Sequence, residues 1–290
     1  MTTILVTGGN GQLARCIKDV EKQYDDLNVI YTDYVELDIC DLKQVQAFFK
    51  TNKKIEYCIN CAAYTAVDKA ETEVEKAFDI NAKGAKNLAL ACNEYGVILI
   101  HISTDFVFDG EKREPYVETD VAKPISVYGA SKLQGEVEVQ QILKEYFIIR
   151  TSWLYSEYGQ NFMKTMLRLA ETREEISVVS DQIGTPTYAG DLAEVVVHII
   201  KTKVKNYGIY HFSNSGEVSW FDFAKAIFEK INTKIKVNSI KTEEYPTPAK
   251  RPFYSVLDKT KIKTAFKIEI HYWGDNLKKA ISNLCLRDEI

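Results

Sequence analysis

Through the first half of the chain, short apolar runs alternate with longer stretches whose apolar residues recur every three or four positions. Runs of strand length fall at 4–7, 29–32, 55–60, 97–103 and 147–151, and helical spacing occupies 12–24, 42–51, 73–94 and 128–145. The strands are apolar almost throughout instead of alternating, which is the pattern of a parallel sheet covered by helices on both faces. The crossovers between such strands are right-handed. After Arg150 the pattern loosens, with strands at 176–179 and 209–212 and helices at 162–170, 191–200, 220–231 and 275–284. The segment 245–252, Tyr-Pro-Thr-Pro-Ala-Lys-Arg-Pro, cannot be helical throughout, because each proline lacks the N–H a helix requires. There is no internal repeat and no low-complexity tract, so the boundary near residue 152 is a change of pattern and not a linker.

Composition narrows the partners. The 290 residues can bury a sizeable core, and a net charge of −4 without a Lys/Arg block argues against nucleic acid as a partner. The apolar runs are too short to span a bilayer, and no basic, apolar and cleavage-site sequence opens the chain, so neither membrane nor secretion is expected. Six cysteines (Cys16, Cys40, Cys58, Cys61, Cys92, Cys285) are too few for a disulfide framework in a domain this large, which points to the cytoplasm. Cys58 and Cys61 have C-x-x-C spacing, but residues three apart on a strand face opposite ways. The four histidines do not cluster, and no metal is predicted.

Candidate chemistry begins where the first strand runs into Gly8-Gly9-Asn10-Gly11-Gln12-Leu13-Ala14. Glycines permit a tight turn and close approach to a pyrophosphate, which the free N–H groups of the following helix can hold. An ordinary βα turn would look similar. Asp33 follows the second strand at the interval where a carboxylate accepts from the adenine ribose hydroxyls, and it would repel a 2′-phosphate. NADH is therefore favoured, with NADPH possible. Asp38 and Ile39 suit the adenine edge, although solvated loop acids are the alternative for Asp33 and Asp38. Cys61, Ala62 and Ala63 offer small side chains beside a flat cofactor. The expected architecture is thus a Rossmann-type doubly wound parallel sheet with a smaller C-terminal substrate lobe.

At the end of the fourth strand stand Ser103, Thr104 and Asp105, and downstream lies Tyr128-Gly129-Ala130-Ser131-Lys132. On a helix, Tyr128 and Lys132 share one face. The ammonium is expected to lower the tyrosine pKa and make Tyr128 a proton donor to the alkoxide formed by hydride addition to a carbonyl. Lys132 also suits the nicotinamide ribose, and Thr104 can donate to the same substrate oxygen. An exposed helix pair is the bland alternative.

These residues resemble the extended short-chain dehydrogenase/reductase family, and the finer wording resembles its dTDP-4-dehydrorhamnose reductase branch. The matching stretches are TGGNGQLA (7–14), NCAAYTAVDKAE (60–71), NAKGAKNLA (81–89), STDFVFDG (103–110) and PISVYGASKLQGE (124–136). RTSWLY (150–155), DQIGTPTYAGDLA (181–193) and YPTPAKRPFYSVLD (245–258) extend them over nearly the whole chain. The resemblance implies reduction of the 4-keto group of dTDP-4-dehydro-L-rhamnose, a step toward cell-surface polysaccharide. It adds Tyr64, Asn81 and Ser103 to the cofactor side and assigns Asp105 and Trp153 to the deoxysugar, Trp153 being equally suited to an interdomain core. Asn161, Gln182 and Arg251 fall to the nucleotide diphosphate, where a planar guanidinium matches phosphate oxygens.

Departures from the branch also matter. Phe106 replaces a usual tyrosine, and Arg15 and Gly190 stand where a magnesium-bridged dimer would want carboxylates, leaving Asp191 alone. Neither that metal nor that dimer is carried over, and a monomer or weak homodimer is expected. The domains implied are 1–152 with 188–213 for the dinucleotide, and 153–187 with 214–290 for the substrate. The rival readings are another nucleotide-sugar reductase, epimerase or dehydratase of the superfamily, and a non-catalytic dinucleotide-binding subunit like the regulatory partner of methionine adenosyltransferase.

Overall fold

The computed structural model describes residues 1–286. Its first half runs β1 (Thr2–Thr7), α1 (Gln12–Val20), β2 (Leu27–Thr32), α2 (Leu42–Thr51), β3 (Ile55–Asn60), α3 (Val67–Ala70), α4 (Val74–Phe78), α5 (Gly84–Tyr95), β4 (Ile98–Thr104), α6 (Val127–Ile142) and β5 (Tyr146–Thr151). There follow β6 (Leu154–Tyr155), α7 (Phe162–Ala170), β7 (Glu175–Val179), β8 (Ile183–Gly184), β9 (Thr187–Tyr188) and α8 (Ala189–Thr202). The chain then forms β10 (Gly208–His211), β11 (Val218–Ser219), α9 (Trp220–Lys230), β12 (Lys236–Ile240), α10 (Thr260–Phe266) and α11 (Trp273–Leu286). The last four residues of the expected lobe, 287–290, lie outside the described residues.

Six strands form one parallel sheet in the order β10-β5-β4-β3-β1-β2. The doubly wound architecture follows from the two apolar faces of each strand. Ile4, Val6, Ile59, Ile100 and Ile149 point to the side covered by Leu13 and Ile17 of α1 and by Leu192, Val196 and Ile199 of α8. Leu5, Cys58, Leu99 and Ile148 point to the other side, under Val45 and Phe49 of α2, Leu88 and Cys92 of α5, and Val139 of α6. Each fully buried Ile or Leu contributes roughly 2 kcal/mol relative to exposure, so a one-residue register slip would be costly. Segment 188–213 returns to this sheet: α8 packs on α1, and β10 extends it beside β5. Among the described residues, no helix is long and apolar enough to cross a membrane.

Most of the remainder packs as a second cluster in which Met163, Met166, Phe223, Ile227, Trp273 and Leu277 are buried with the β7–β12 pair, whereas Ile262 and Phe266 of α10 join the first cluster beside β10 and α8. The sequence pattern missed β12, because Lys236–Ile240 is a short, mostly polar strand whose order comes from pairing with β7 and packing on α9. It also read 73–94 as one helix. Instead α4 and α5 are joined by a π-helical turn at Asp79–Lys83, where Asn81 brackets the backbone of Tyr64 and reaches Ser131 Oγ at 2.9 Å. Such a widened turn places a side chain that a regular helix could not. The first helix stops at Val20 and becomes a 3₁₀ turn, short of the expected end at 24. α6 starts where Ser126 caps Gly129 N at 3.1 Å.

Candidate active site

The strand order reverses at β1, whose neighbours are β2 and β3, and ligands of open α/β sheets bind outside the carboxyl ends of strands at such a point. A cleft of about 710 Å³ lies there. It extends from the β1–α1 turn past the ends of β3, β4 and β5 to Trp153, Trp220 and Arg251.

At one end, Gly8 has φ +66°, and a Cβ on it would stand 2.7 Å from Ala62 N, so neither a side chain nor an ordinary backbone conformation fits. Gly11 opens α1 with no side chain capping the first N–H groups, and Asn10, Gly11, Gln12 and Leu13 all line the cleft. This bare helix N-terminus behind a cradle that any Cβ would fill fits the pyrophosphate of a dinucleotide. Asp33 braces the turn. Its Oδ2 accepts from Asn10 N at 2.9 Å and its Oδ1 from Tyr34 N at 2.7 Å.

Cys61 and Ala63 also line the cleft. Gly8, Asp33, Asp38, Ile39, Ala62, Tyr64, Asn81 and Gln182 do not. Ile39 instead packs on Gly84, Asn81 is spent on Tyr64 and Ser131, and Asp38 accepts from Cys40 N. Cys58 and Cys61 face opposite clusters and are free thiols.

At the other end, Ser103, Thr104 and Asp105 leave β4 beside Tyr128 and Lys132 of α6, all five lining the same cleft. Gly129 allows the approach, since a Cβ there would meet Phe106 O at 2.2 Å. Lys132 donates to Ile102 O at 2.7 Å, and burial lowers its pKa to about 8, Glu136 and Cys61 opposing. The expected lowering of the Tyr128 pKa is corrected here. Burial raises it to about 12, against a hydrogen bond with Thr104 and with Asp105 adding to the rise. Loss of water from around the phenol outweighs any help from the ammonium, which is turned to the Ile102 carbonyl. Thr104 Oγ1 donates to Asp105 Oδ1 at 3.0 Å, so its single proton is engaged before any ligand arrives. Burial pushes the Asp105 carboxyl up to about 6. The Ser103 hydroxyl donates to Glu136 Oε1 at 2.5 Å.

Across the cleft, Trp153 stacks on Trp220 with ring centroids 3.5 Å apart and planes within 7°. Trp153 holds φ +46°, and Gly184 is small because any Cβ would strike the indole at 2.5 Å. Trp220 was invisible as a site residue in the sequence, where it reads as the first apolar position of a capped helix. Asn161 caps α7 through Lys164 N and also reaches Gln12 Oε1 at 3.4 Å. Arg251 lines the cleft paired with Asp68, its two terminal nitrogens 3.1 and 2.7 Å from the carboxylate oxygens. Asp68 was also missed, because nothing in its local sequence marks a partner 183 positions away. The Gln182 amide donates to Thr242 Oγ1 at 3.2 Å, outside the residues that line the cleft.

The RmlD substrate binding domain family matches residues 1–286. A curated relative from Aggregatibacter actinomycetemcomitans, a dTDP-4-dehydrorhamnose reductase, is 44% identical over 96% of this chain and 98% of its own length. The chain belongs to the dTDP-4-dehydrorhamnose reductase family. Solved members of the family carry the same fold over the whole length. The crystal structure of a dTDP-4-dehydrorhamnose reductase from Clostridium acetobutylicum has a TM-score of 0.93 at 46% identity, covering 98% of this chain and 100% of that one. The enzyme from Bacillus anthracis, solved in complex with NADP, has a TM-score of 0.92 at 43% identity with the same coverage.

Proposed function

We propose that this chain reduces the 4-keto group of dTDP-4-dehydro-L-rhamnose to give dTDP-L-rhamnose, with a nicotinamide dinucleotide as reductant. The observation that carries the reading is the convergence of Thr104, Tyr128 and Lys132 on a cleft whose far end is the bare glycine turn. The dinucleotide supplies hydride when bound. Gln12 and Leu13 hold its pyrophosphate with backbone N–H groups, Gly11 lets it approach, and Cys61 and Ala63 leave room for its flat parts. Tyr128, kept protonated at neutral pH by its raised pKa, gives its proton to the alkoxide oxygen, which is a much stronger base than the phenolate. Lys132 retains a substantial cationic population at neutral pH and offsets the negative charge left on the phenol. Thr104 turns its hydroxyl from Asp105 to the same oxygen.

Asp105 and Trp153 contact the deoxysugar, with Trp220 backing Trp153. Asn161 and Arg251 serve the diphosphate side, Arg251 exchanging Asp68 for phosphate. Asp33 favours NADH and leaves NADPH usable. In this reading residues 1–152 and 188–213 hold the dinucleotide, and 153–187 and 214–290 hold the sugar nucleotide. The test is oxidation of NADH and of NADPH with dTDP-4-dehydro-L-rhamnose. Stoichiometric oxidation supports the proposal, whereas turnover with no net oxidation shows an epimerase or dehydratase. Tight cofactor binding without any turnover shows a regulatory subunit.

A further inference from the structure

Tyr128, Lys132 and Glu136 recur every four residues on α6 and form one stripe, yet only the first two reach the cleft. Glu136 is fully buried behind them. Its Oε1 accepts from Ser103 Oγ at 2.5 Å and from Arg150 Nε at 2.9 Å, and its Oε2 from an Arg150 terminal nitrogen at 2.6 Å. Ser103 on β4 and Arg150 on β5 are register partners, so one carboxylate ties the helix to two adjacent strands. One turn earlier, Lys132 is bound to Ile102, the residue before Ser103, and Thr104 follows directly. The helix cannot drift to compensate for a lost tie, because Gly135 lies against Asn81 O with no room for a Cβ at 2.2 Å.

We infer that Glu136 is a positioning residue for the reductase chemistry, registering Lys132 and Tyr128 against Thr104 and supplying the anion that keeps the Lys132 amine charged. The inference rests on the proposed reaction only in the meaning given to Lys132; the tie itself is structural. The ionisable groups about Lys132 are Tyr128 and Glu136 on its own helix, Cys61 after β3 and His101 on β4, while Arg150 and His211 stand behind Glu136. Burial holds His101 neutral and the Cys61 thiol protonated, which leaves Glu136 as the anion of this set. Removing it must ease deprotonation of Lys132.

The test follows the Lys132 titration through its ¹³Cε resonance in the full-length chain, which needs no substrate. Glu136→Gln keeps the shape of the side chain and should move the titration down by about one pH unit. The alkaline limb of kcat should move with it, and kcat should fall about tenfold while KM for the dinucleotide stays within about threefold. Because Glu136→Gln leaves the buried Arg150 without an anionic partner and can unfold the chain, Glu136→Gln with Arg150→Gln is the second variant. It too should titrate below the wild type. A Lys132 titration in either folded variant that matches the wild type overturns the inference, whether or not the wild type reduces the sugar. Absence of sugar reduction by the wild type counts against the proposed reaction alone.

Discussion

The two ends of the cleft are built from different materials. At the glycine turn the groups left open at the start of α1 are backbone N–H donors, fixed by chain geometry and uncharged at every pH. Around Thr104, Tyr128 and Lys132 the groups are side chains, two of which titrate, sunk in an interior that moves Tyr128 up to about 12 and Lys132 down to about 8. Backbone dipoles bind an anion without requiring any side chain to ionise. Proton transfer needs groups whose charge can change, and these are costly to bury and sensitive to each neighbour. Binding and turnover should therefore separate by mutation.

The largest separation is expected from Tyr128→Phe, which should lower kcat about 1,000-fold, or ~4 kcal/mol, with dinucleotide affinity unchanged by fluorescence titration. A loss of affinity equal to the loss of rate would erase the contrast. Gly8→Ala attacks the other end. With φ at +66° and Ala62 N only 2.7 Å from the new Cβ, dinucleotide affinity should drop about 100-fold, while the Lys132 titration in the free protein stays where it was.

The third case concerns pH. Burial lifts Asp105 from 3.8 to about 6, so between those values the folded chain holds a proton that the unfolded chain has released. Stability then falls as pH rises through that window and stays lower above it. Asp105→Asn should be more stable than the wild type by about 2 kcal/mol at pH 7, discounted for the Thr104 hydrogen bond, with the advantage gone near pH 4. Denaturant melts at the two pH values measure this, and an equal gain at both would show that ionisation is not its source. The smallest effect is expected from Asp33→Asn, about tenfold in the NADH to NADPH ratio of kcat/KM, since the amide oxygen can still accept from one of the Asn10 and Tyr34 N–H groups, though not from both as the two carboxylate oxygens do.

The two ends also differed in how legible they were. The glycine turn could be read from eight consecutive residues, because a positive φ and a short helix-opening loop are local properties. The Tyr128–Lys132 pair was equally local, a matter of helical spacing. What could not be read was the state of those groups. The expected fall in the Tyr128 pKa counted one neighbouring charge and omitted desolvation, which depends on everything packed around the phenol. Trp220 and Asp68 were missed for a related reason: each matters through a partner far away in the chain, Trp153 in one case and Arg251 in the other. The hydrogen bonds of Ser103 to Glu136, and of Asn81 to Tyr64 and Ser131, were equally out of reach of the sequence. So was the bond from the Gln182 amide to Thr242.

By itself, the sequence determined the alternation of strands and helices, the two-sided sheet and the position of the glycine turn. These depend on periodicity and on local backbone freedom, which a chain carries wherever it folds. Only the tertiary structure decided which polar groups remain available to a ligand, how far their proton affinities move, and which cation is already paired. Those properties are set by distance and by exclusion of water, and neither exists until segments far apart in the chain are packed together.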